Sequence, residues 1–279
     1  MIDEYLSTGF TDVDGVKNQE AYFACLALLD SLSYFREYKL KSYELLQLKH
    51  GMTVLEAGCG IGDDAFRIAE RIMPGGKVVA LDSSAAMIEK AQSRELTAQL
   101  PVLFQRGDVK ALPFYDNSFA RCRIDRVLQH VPQPERAISE LVRVLEPDGL
   151  LLAYDNDWGT FSVTSQNLEI TRALENLWCD SFTNNWIGRH LCDYFISSGL
   201  SDVKIYPSTS VITDFETADK VYNLRETVRR ATAGGVISMA QGRCWIEELI
   251  NRNEKGSFLA VLTAYTAVGQ KKLRDKSHL

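Results

Sequence analysis

A chain of 279 residues that is 46% hydrophobic and 24% charged holds the material for a sizeable packed core, which excludes bulk disorder. Its formal charge of −6 and isoelectric point near 5.4 run against a protein whose main partner is nucleic acid, since such proteins present a basic surface.

Residues 1 to about 50 read as helical. Tyr22, Cys25, Leu26 and Leu29 recur at helical spacing, and a second amphipathic stretch carries Tyr34, Tyr38, Leu45 and Leu46. The run Val54-Leu55-Glu56-Ala57-Gly58-Cys59-Gly60-Ile61-Gly62-Asp63-Asp64 then reads as a buried strand end, a glycine turn and the start of a helix with Ala65, Ile68, Ala69 and Ile72 on one face. Glycine lets a ligand approach the backbone of Gly58 and Gly60 where a Cβ would clash. A dinucleotide fingerprint wants a third glycine where Asp63 stands. A pyrophosphate there would also meet the carboxylates of Glu56, Asp63 and Asp64 at a Coulombic cost. S-adenosylmethionine has no phosphate and carries an ammonium and a sulfonium, so the acidic turn suits it. The alternative is a structural strand-to-helix turn with no ligand.

The next strand, residues 77–82, ends in Asp82, about 20 residues beyond the glycines, where this topology places the acid that holds ribose hydroxyls. Capping the following helix is the competing role for Asp82, open also to Ser83 and Ser84; Ser83 stands with the donor-binding candidates. A third strand, residues 102–104, leads into Gly107-Asp108-Val109, where Asp108 can take an adenine amino group while a backbone amide, that of Val109, meets a ring nitrogen. The fourth strand ends at Ile124-Asp125-Arg126, with Gln129 and His130 beyond it. A helix opens at Pro134 and stops at Pro147-Asp148-Gly149, and a fifth strand over residues 150–154 leads to Asp155-Asn156-Asp157-Trp158. This alternation implies a mainly parallel sheet with helices on both faces. Beyond residue 160 the pattern predicts helices over 165–182 and 186–199, a strand over 203–206, helices over 215–232 and 237–253, a last strand from Phe258 to Val268, and a frayed tail over 271–279.

Six cysteines, at 25, 59, 122, 179, 192 and 244, show no paired spacing, so neither a disulfide framework nor a zinc site is indicated and a reducing cytosol is expected. His50, His130, His190 and His278 form no ligand-spaced cluster, so no catalytic metal is expected. The first residues, with Asp3 and Glu4, lack the regions of a signal peptide. No apolar run approaches the roughly 20 residues that cross a bilayer. A cytoplasmic protein without membrane insertion is the expectation.

The segments Glu56-Ala-Gly-Cys-Gly-Ile-Gly, Leu81-Asp82-Ser83, Gly107-Asp108-Val109, Leu112-Pro113-Phe114, Asp116-Asn117-Ser118-Phe119, Val127-Leu128-Gln129-His130-Val131 and Arg143-Val144-Leu145-Glu146-Pro147-Asp148-Gly149 follow in an order that resembles the class I S-adenosylmethionine-dependent methyltransferases. Within that class the chain is most similar to the small-molecule branch that includes the ubiquinone and menaquinone biosynthesis enzymes. The likeness covers roughly residues 50 to 157. It implies an α/β fold with a Rossmann-like, seven-stranded, mainly parallel sheet closed by an antiparallel hairpin. It implies one domain: a helical lid over residues 1–50, a donor-binding core over 51–157, and acceptor-specificity helices with closing strands over 158–279.

The resemblance also assigns chemistry. The cofactor is S-adenosylmethionine and the partner a small-molecule methyl acceptor, with methylation on oxygen favoured over nitrogen or carbon. A basic residue on the helix before the first strand meets the donor's carboxylate in similar enzymes, and Lys39 stands there; a solvated surface charge is the alternative. Arg126 contacts either the donor through its backbone or the acceptor through its guanidinium. His130 titrates in the useful range and is the first candidate for a general base, with a packing role as its alternative. Asp155 and Asp157 can accept a proton or orient an amine, and Asp157 equally suits a turn cap. Tyr5, Trp158, Phe161, Trp186 and Tyr194 are candidate walls for an acceptor, or core. Methylation of protein or RNA, and donor binding without turnover, are the competing functions. The chain lacks the Asn- or Asp-Pro-Pro-aromatic element of enzymes that methylate base amino groups.

Overall fold

In the computed structural model, residues 6–272 are described, so Tyr5 and most of the expected frayed tail lie outside the described residues. The elements in chain order are α1 (Leu6–Gly9), α2 (Gln19–Ser31), α3 (Ser33–Leu45), β1 (Thr53–Ala57), α4 (Asp63–Ile72), β2 (Lys77–Asp82), α5 (Ala85–Gln92), β3 (Val102–Arg106), β4 (Phe119–Asp125), α6 (Pro134–Val144) and β5 (Leu145–Asn156). They continue with β6 (Ser162–Val163), α7 (Leu168–Cys179), α8 (Ile187–Ser197), β7 (Leu200–Ile212), α9 (Phe215–Tyr222), α10 (Leu224–Ala233), α11 (Met239–Glu254) and β8 (Ala260–Lys271).

The sheet runs β3-β2-β1-β4-β5-β8, with β7 paired to β8 and the short β6 also on β8. Its first five strands are parallel, and β8 is antiparallel to β5, β6 and β7. Strands covered on both faces read as continuous apolar runs: Val54, Leu55 and Ala57 of β1 and Val78, Ala80 and Leu81 of β2 are almost wholly buried. On one face α4 lays Ala65, Phe66, Ile68, Ala69 and Ile72 against β2, and on the other α6 buries Ala137, Ile138, Leu141 and Val144. The register β1 to β4 sets Glu56 beside Arg123, a pairing that recurs in the site below. Among the described residues no helix is long and apolar enough to cross a membrane.

The α/β expectation stands, with particular corrections. An eighth strand, the two-residue β6, adds to the expected seven. Strand β7 spans Leu200–Ile212 rather than residues 203–206, running through Pro207; β7 lies outside β8, where a residue lacking an N–H is tolerated. The helix expected over 215–232 breaks at Asn223, whose φ of 50° is the left-handed conformation that asparagine adopts more readily than most residues. The last strand starts and ends later than expected, because pairing with β5 and β7 carries it to Lys271.

Helices α2, α3, α7 and α9 to α11 gather over the carboxyl ends of the strands around Trp158, Phe161, Trp178, Phe182, Phe215, Tyr222 and Trp245. In open α/β sheets that end is where ligands bind.

Candidate active site

A cavity of about 470 Å³ opens beyond the carboxyl ends of β1, β2 and β4. Lys39, Glu56, Gly58, Gly60, Asp82, Ser83, Asp108, Val109, Arg126 and His130 all line it. Asp157 does not.

The glycine turn is shaped by neighbours as well as by any ligand. Gly58 has φ +73°, and a Cβ there would lie 2.1 Å from the Val127 side chain, so any other residue is both strained and blocked. The Gly60 N–H donates to Asp82 Oδ2 at 2.8 Å and the Ser84 N–H to Asp82 Oδ1 at 2.9 Å. Each oxygen of Asp82 thus has one backbone donor and keeps acceptor capacity for a ribose hydroxyl. Burial raises the Asp82 pKa against these amide hydrogen bonds. The cap of α5 is Ser84, whose Oγ accepts the Met87 N–H at 3.1 Å.

Beneath the turn lies a buried charge network. Arg123, wholly buried, pairs with Glu56 across the strand register, donates to Asp125 Oδ2 at 2.5 Å and lies 3.4 Å from Asp64. Lys39 reaches Asp64 at 3.0 Å and Asp30 at 3.6 Å. Burial pushes the Glu56 carboxyl up, against the pull of Arg123. Burial acts the same way on Asp64, but Arg123 and Lys39 outweigh it and hold that carboxyl low. Glu56 Oε2 is buried and accepts no hydrogen bond among the described residues. A cationic ammonium satisfies such an acceptor, so the residues present fit a donor that carries one.

Sequence reasoning expected a helical lid over residues 1–50 but singled out none of residues 10–14. Residues Phe10 to Asp14 line the cavity. Asp14 accepts hydrogen bonds from Ser84 Oγ at 2.6 Å, Ala85 N at 2.9 Å and Ala86 N at 3.1 Å, with Arg106 at 3.4 Å. These bonds outweigh burial and lower its pKa. Asp14→Ala is expected to weaken donor binding roughly three- to tenfold, the scale of one or two charge-assisted hydrogen bonds at a helix N-terminus. Calorimetry with S-adenosylhomocysteine tests this, and an unchanged affinity would mean that the segment only rests on the cavity.

A second, smaller chamber of about 60 Å³ adjoins the first and shares Phe10, Arg126, Gln129 and His130 with it. Trp158 and Phe182 stack at 4.0 Å between ring centres, with Trp178 set edge-on to both. Tyr34, Phe35 and Tyr222 complete the aromatic wall. Of the expected wall residues that are described, Trp158 alone lines this chamber. Phe161 is buried beside it, Tyr194 packs in the core on the face with α6, and Trp186 is half-exposed under the Arg189 guanidinium. The remaining walls come from helices whose aromatics, in sequence, read as ordinary core.

His130 is held by Gln129. The indole N–H of Trp158 can only donate, and it donates to Gln129 Oε1 at 2.9 Å, as does Asn156 Nδ2 at 3.2 Å. The Gln129 amide nitrogen therefore faces His130 Nε2, at 3.0 Å, as a donor. A neutral His130 so held accepts at Nε2 and carries its proton on Nδ1. Proton uptake at Nε2 requires that this bond be given up.

The acids after β5 are placed differently from expectation. Asp157, buried, receives Arg189 Nε at 2.5 Å and Nη2 at 2.7 Å, a bidentate pair that ties it to α8 and away from both cavities. Asp155 accepts the N–H groups of Gln129 and Asn156, and burial pushes its carboxyl from 3.8 up to about 8. Between those values the unfolded chain releases a proton that the fold retains, so this group makes stability fall as pH rises from about 4 to about 8. Urea unfolding at pH 5 and pH 8 is expected to show that decline, and Asp155→Asn to remove part of it. A decline identical in the variant would contradict the assignment.

The family described as a methyltransferase domain matches residues 48–229. An uncharacterized 37.1 kDa protein in transposon Tn4556 of Streptomyces fradiae is 34% identical over 257 residues, covering 91% of this chain and 72% of that one. Demethylmenaquinone methyltransferase of Lactobacillus johnsonii is 32% identical over 123 residues, covering 43% of this chain and 50% of its own length. This match therefore spans about half of that enzyme. Among solved structures, the Haemonchus contortus phosphoethanolamine N-methyltransferase 2 complex with phosphomonomethylethanolamine and S-adenosylhomocysteine superposes with a TM-score of 0.58 at 16% identity, over 95% of this chain and 60% of that one. At that identity the likeness concerns the fold. With a domain match over well more than half of the chain, and the class's strand order and glycine turn in place, the chain belongs to the class I S-adenosylmethionine-dependent methyltransferases.

Proposed function

We propose that the protein methylates a small organic acceptor, on oxygen in preference to nitrogen or carbon. The observation that carries this reading is the pair of abutting cavities: a larger one with the acidic groups a cationic donor needs, and a narrow aromatic one behind it, joined at Arg126, Gln129 and His130. S-adenosylmethionine supplies an electrophilic methyl group on a sulfonium, whose bonding electron pair stays with sulfur when the methyl leaves. The chain's part is positioning, which alone is worth several kcal/mol when the reacting atoms are held in line.

In this reading Asp82 holds the ribose hydroxyls, Asp108 and the Val109 amide hold the adenine, and Glu56 faces the ammonium. The aromatic wall excludes water from the acceptor. Oxygen is favoured over an amine because, among the described residues, no carboxylate lines the small chamber to receive an ammonium, and the guanidinium of Arg126 opposes one. The likeness to demethylmenaquinone methyltransferase supports including a quinone-type ring among the acceptors to test first.

Purified protein incubated with S-adenosylmethionine and a panel of small hydroxylated aromatics is expected to form S-adenosylhomocysteine only when acceptor is present, with the product ether detected by mass spectrometry. Donor binding without turnover across the panel would favour a binding module instead.

A further inference from the structure

We propose that the acceptor is an anion: a compact planar molecule whose carboxylate or phenolate oxygen is gripped by Arg126 at the neck between the two cavities. This rests on the methyl-transfer reading above and concerns recognition, adding no chemical step to it.

Arg126 follows β4 directly and has φ 55°, with its N–H fixed on Tyr154 O at 2.8 Å. Its side chain lines both cavities. The guanidinium lies 5.2 Å from the centre of the Phe35 ring, a cation–π contact that orients the plane without using its N–H donors. The nearest acid, Asp125, is 3.8 Å away, beyond hydrogen-bond reach, and its oxygens already serve Arg123 and the Tyr38 hydroxyl. Arg126 Nε is buried with no hydrogen-bond partner. A buried guanidinium donor without an acceptor is costly to leave unpaired.

The described residues of the small chamber offer it no carboxylate. Among the described residues, no Asp or Glu lines that chamber, and Arg126 is the one residue there that is charged at every physiological pH. A cationic donor in the adjoining cavity adds a second positive charge on the other side of the neck. An acceptor that carries an anionic oxygen satisfies the unpartnered Nε donor and offsets positive charge at the neck, and a planar body suits the walls of Trp158, Phe182 and Tyr222. The chamber's volume of about 60 Å³ favours a compact head over a long chain.

The test uses the full chain loaded with S-adenosylhomocysteine, titrated calorimetrically and by tryptophan fluorescence, since Trp158 and Trp178 line the chamber. Two matched pairs serve as probes: 4-hydroxybenzoate against 4-hydroxybenzamide for a carboxylate, and 4-nitrophenolate against 4-nitroanisole for a phenolate. At least one anion is expected to bind tenfold or more tightly than its neutral partner, and the pair that shows it identifies which oxygen is read. Arg126→Gln should reduce the preference to within twofold while S-adenosylhomocysteine affinity changes less than threefold, and Arg126→Lys should keep part of the preference. Neutral probes binding as well as anions, no probe binding at millimolar concentration, or a tenfold loss of S-adenosylhomocysteine affinity in Arg126→Gln would each overturn the proposal. The last would give the guanidinium to the donor. Failure of the unsubstituted protein to bind S-adenosylhomocysteine, measured before any probe is added, would instead remove the methyl-transfer reading itself.

Discussion

Asp82→Ala is expected to weaken S-adenosylhomocysteine binding by roughly 100-fold or more. A hydrogen bond to a charged acceptor is worth about 1.5 to 3 kcal/mol, and two ribose hydroxyls lost together amount to about 3 kcal/mol or more, two decades in Kd. The substitution also strips the Gly60 and Ser84 N–H groups of their acceptor, which loosens the glycine turn from the end of β2. Asp82→Asn retains one acceptor oxygen and should fall between. Titration calorimetry of the three proteins, with NAD as a negative control, decides the matter: a Kd within threefold of the unsubstituted protein in Asp82→Ala, or a response to NAD, would reject this placement of the ribose.

The largest effect on stability is expected from Arg123→Met. Arg123 is wholly buried and is the shared partner of Glu56, Asp125 and Asp64. Its removal leaves those carboxylates close together without the guanidinium between them. Breaking a buried pair from one side destabilises by about 3 to 5 kcal/mol, which for a domain of this size lowers Tm by roughly 6 to 15 °C. Acid should partly rescue the variant, because carboxyls that have lost their cation take up protons more readily. Thermal unfolding at pH 5 and pH 7.5 measures both effects. A Tm within two degrees of the unsubstituted protein at pH 7.5 would mean that water or rearrangement absorbs the charge.

How much could be read in advance follows the range of each interaction. The lining of the larger cavity was legible because its chemistry is local: Gly58, Gly60, Asp82 and Asp108 each stand at the end of a strand that the apolar pattern already marks. Asp14 was not, since its partners lie some 70 residues away and nothing near it in sequence announces them. Asp157 looked available in sequence because Arg189, which occupies it, is 32 residues further on. The walls of the small chamber suffered from a different ambiguity. Trp178 and Tyr222 sit at core-like spacing on helices and Phe182 lies just past the end of α7, and only the docking of α7 and α9 over the strand ends turns them toward a cavity. The break at Asn223 was hidden because the apolar period carries straight across it.

The position of β8 has a consequence for how the chain is made. It is the last strand among the described residues, yet it is seated between β5 and β7, so the outer edge of β5 and the whole of β7 lack a partner until residues 260–271 have been synthesised. During translation the parallel half of the sheet can assemble, but it carries a naked edge at β5 while more than a hundred further residues emerge. Completion of the sheet thus waits for residues 260–271, whatever has folded before them. Nascent chains stalled before residue 260 should remain protease-sensitive beyond β5, whereas chains released through Lys271 should not.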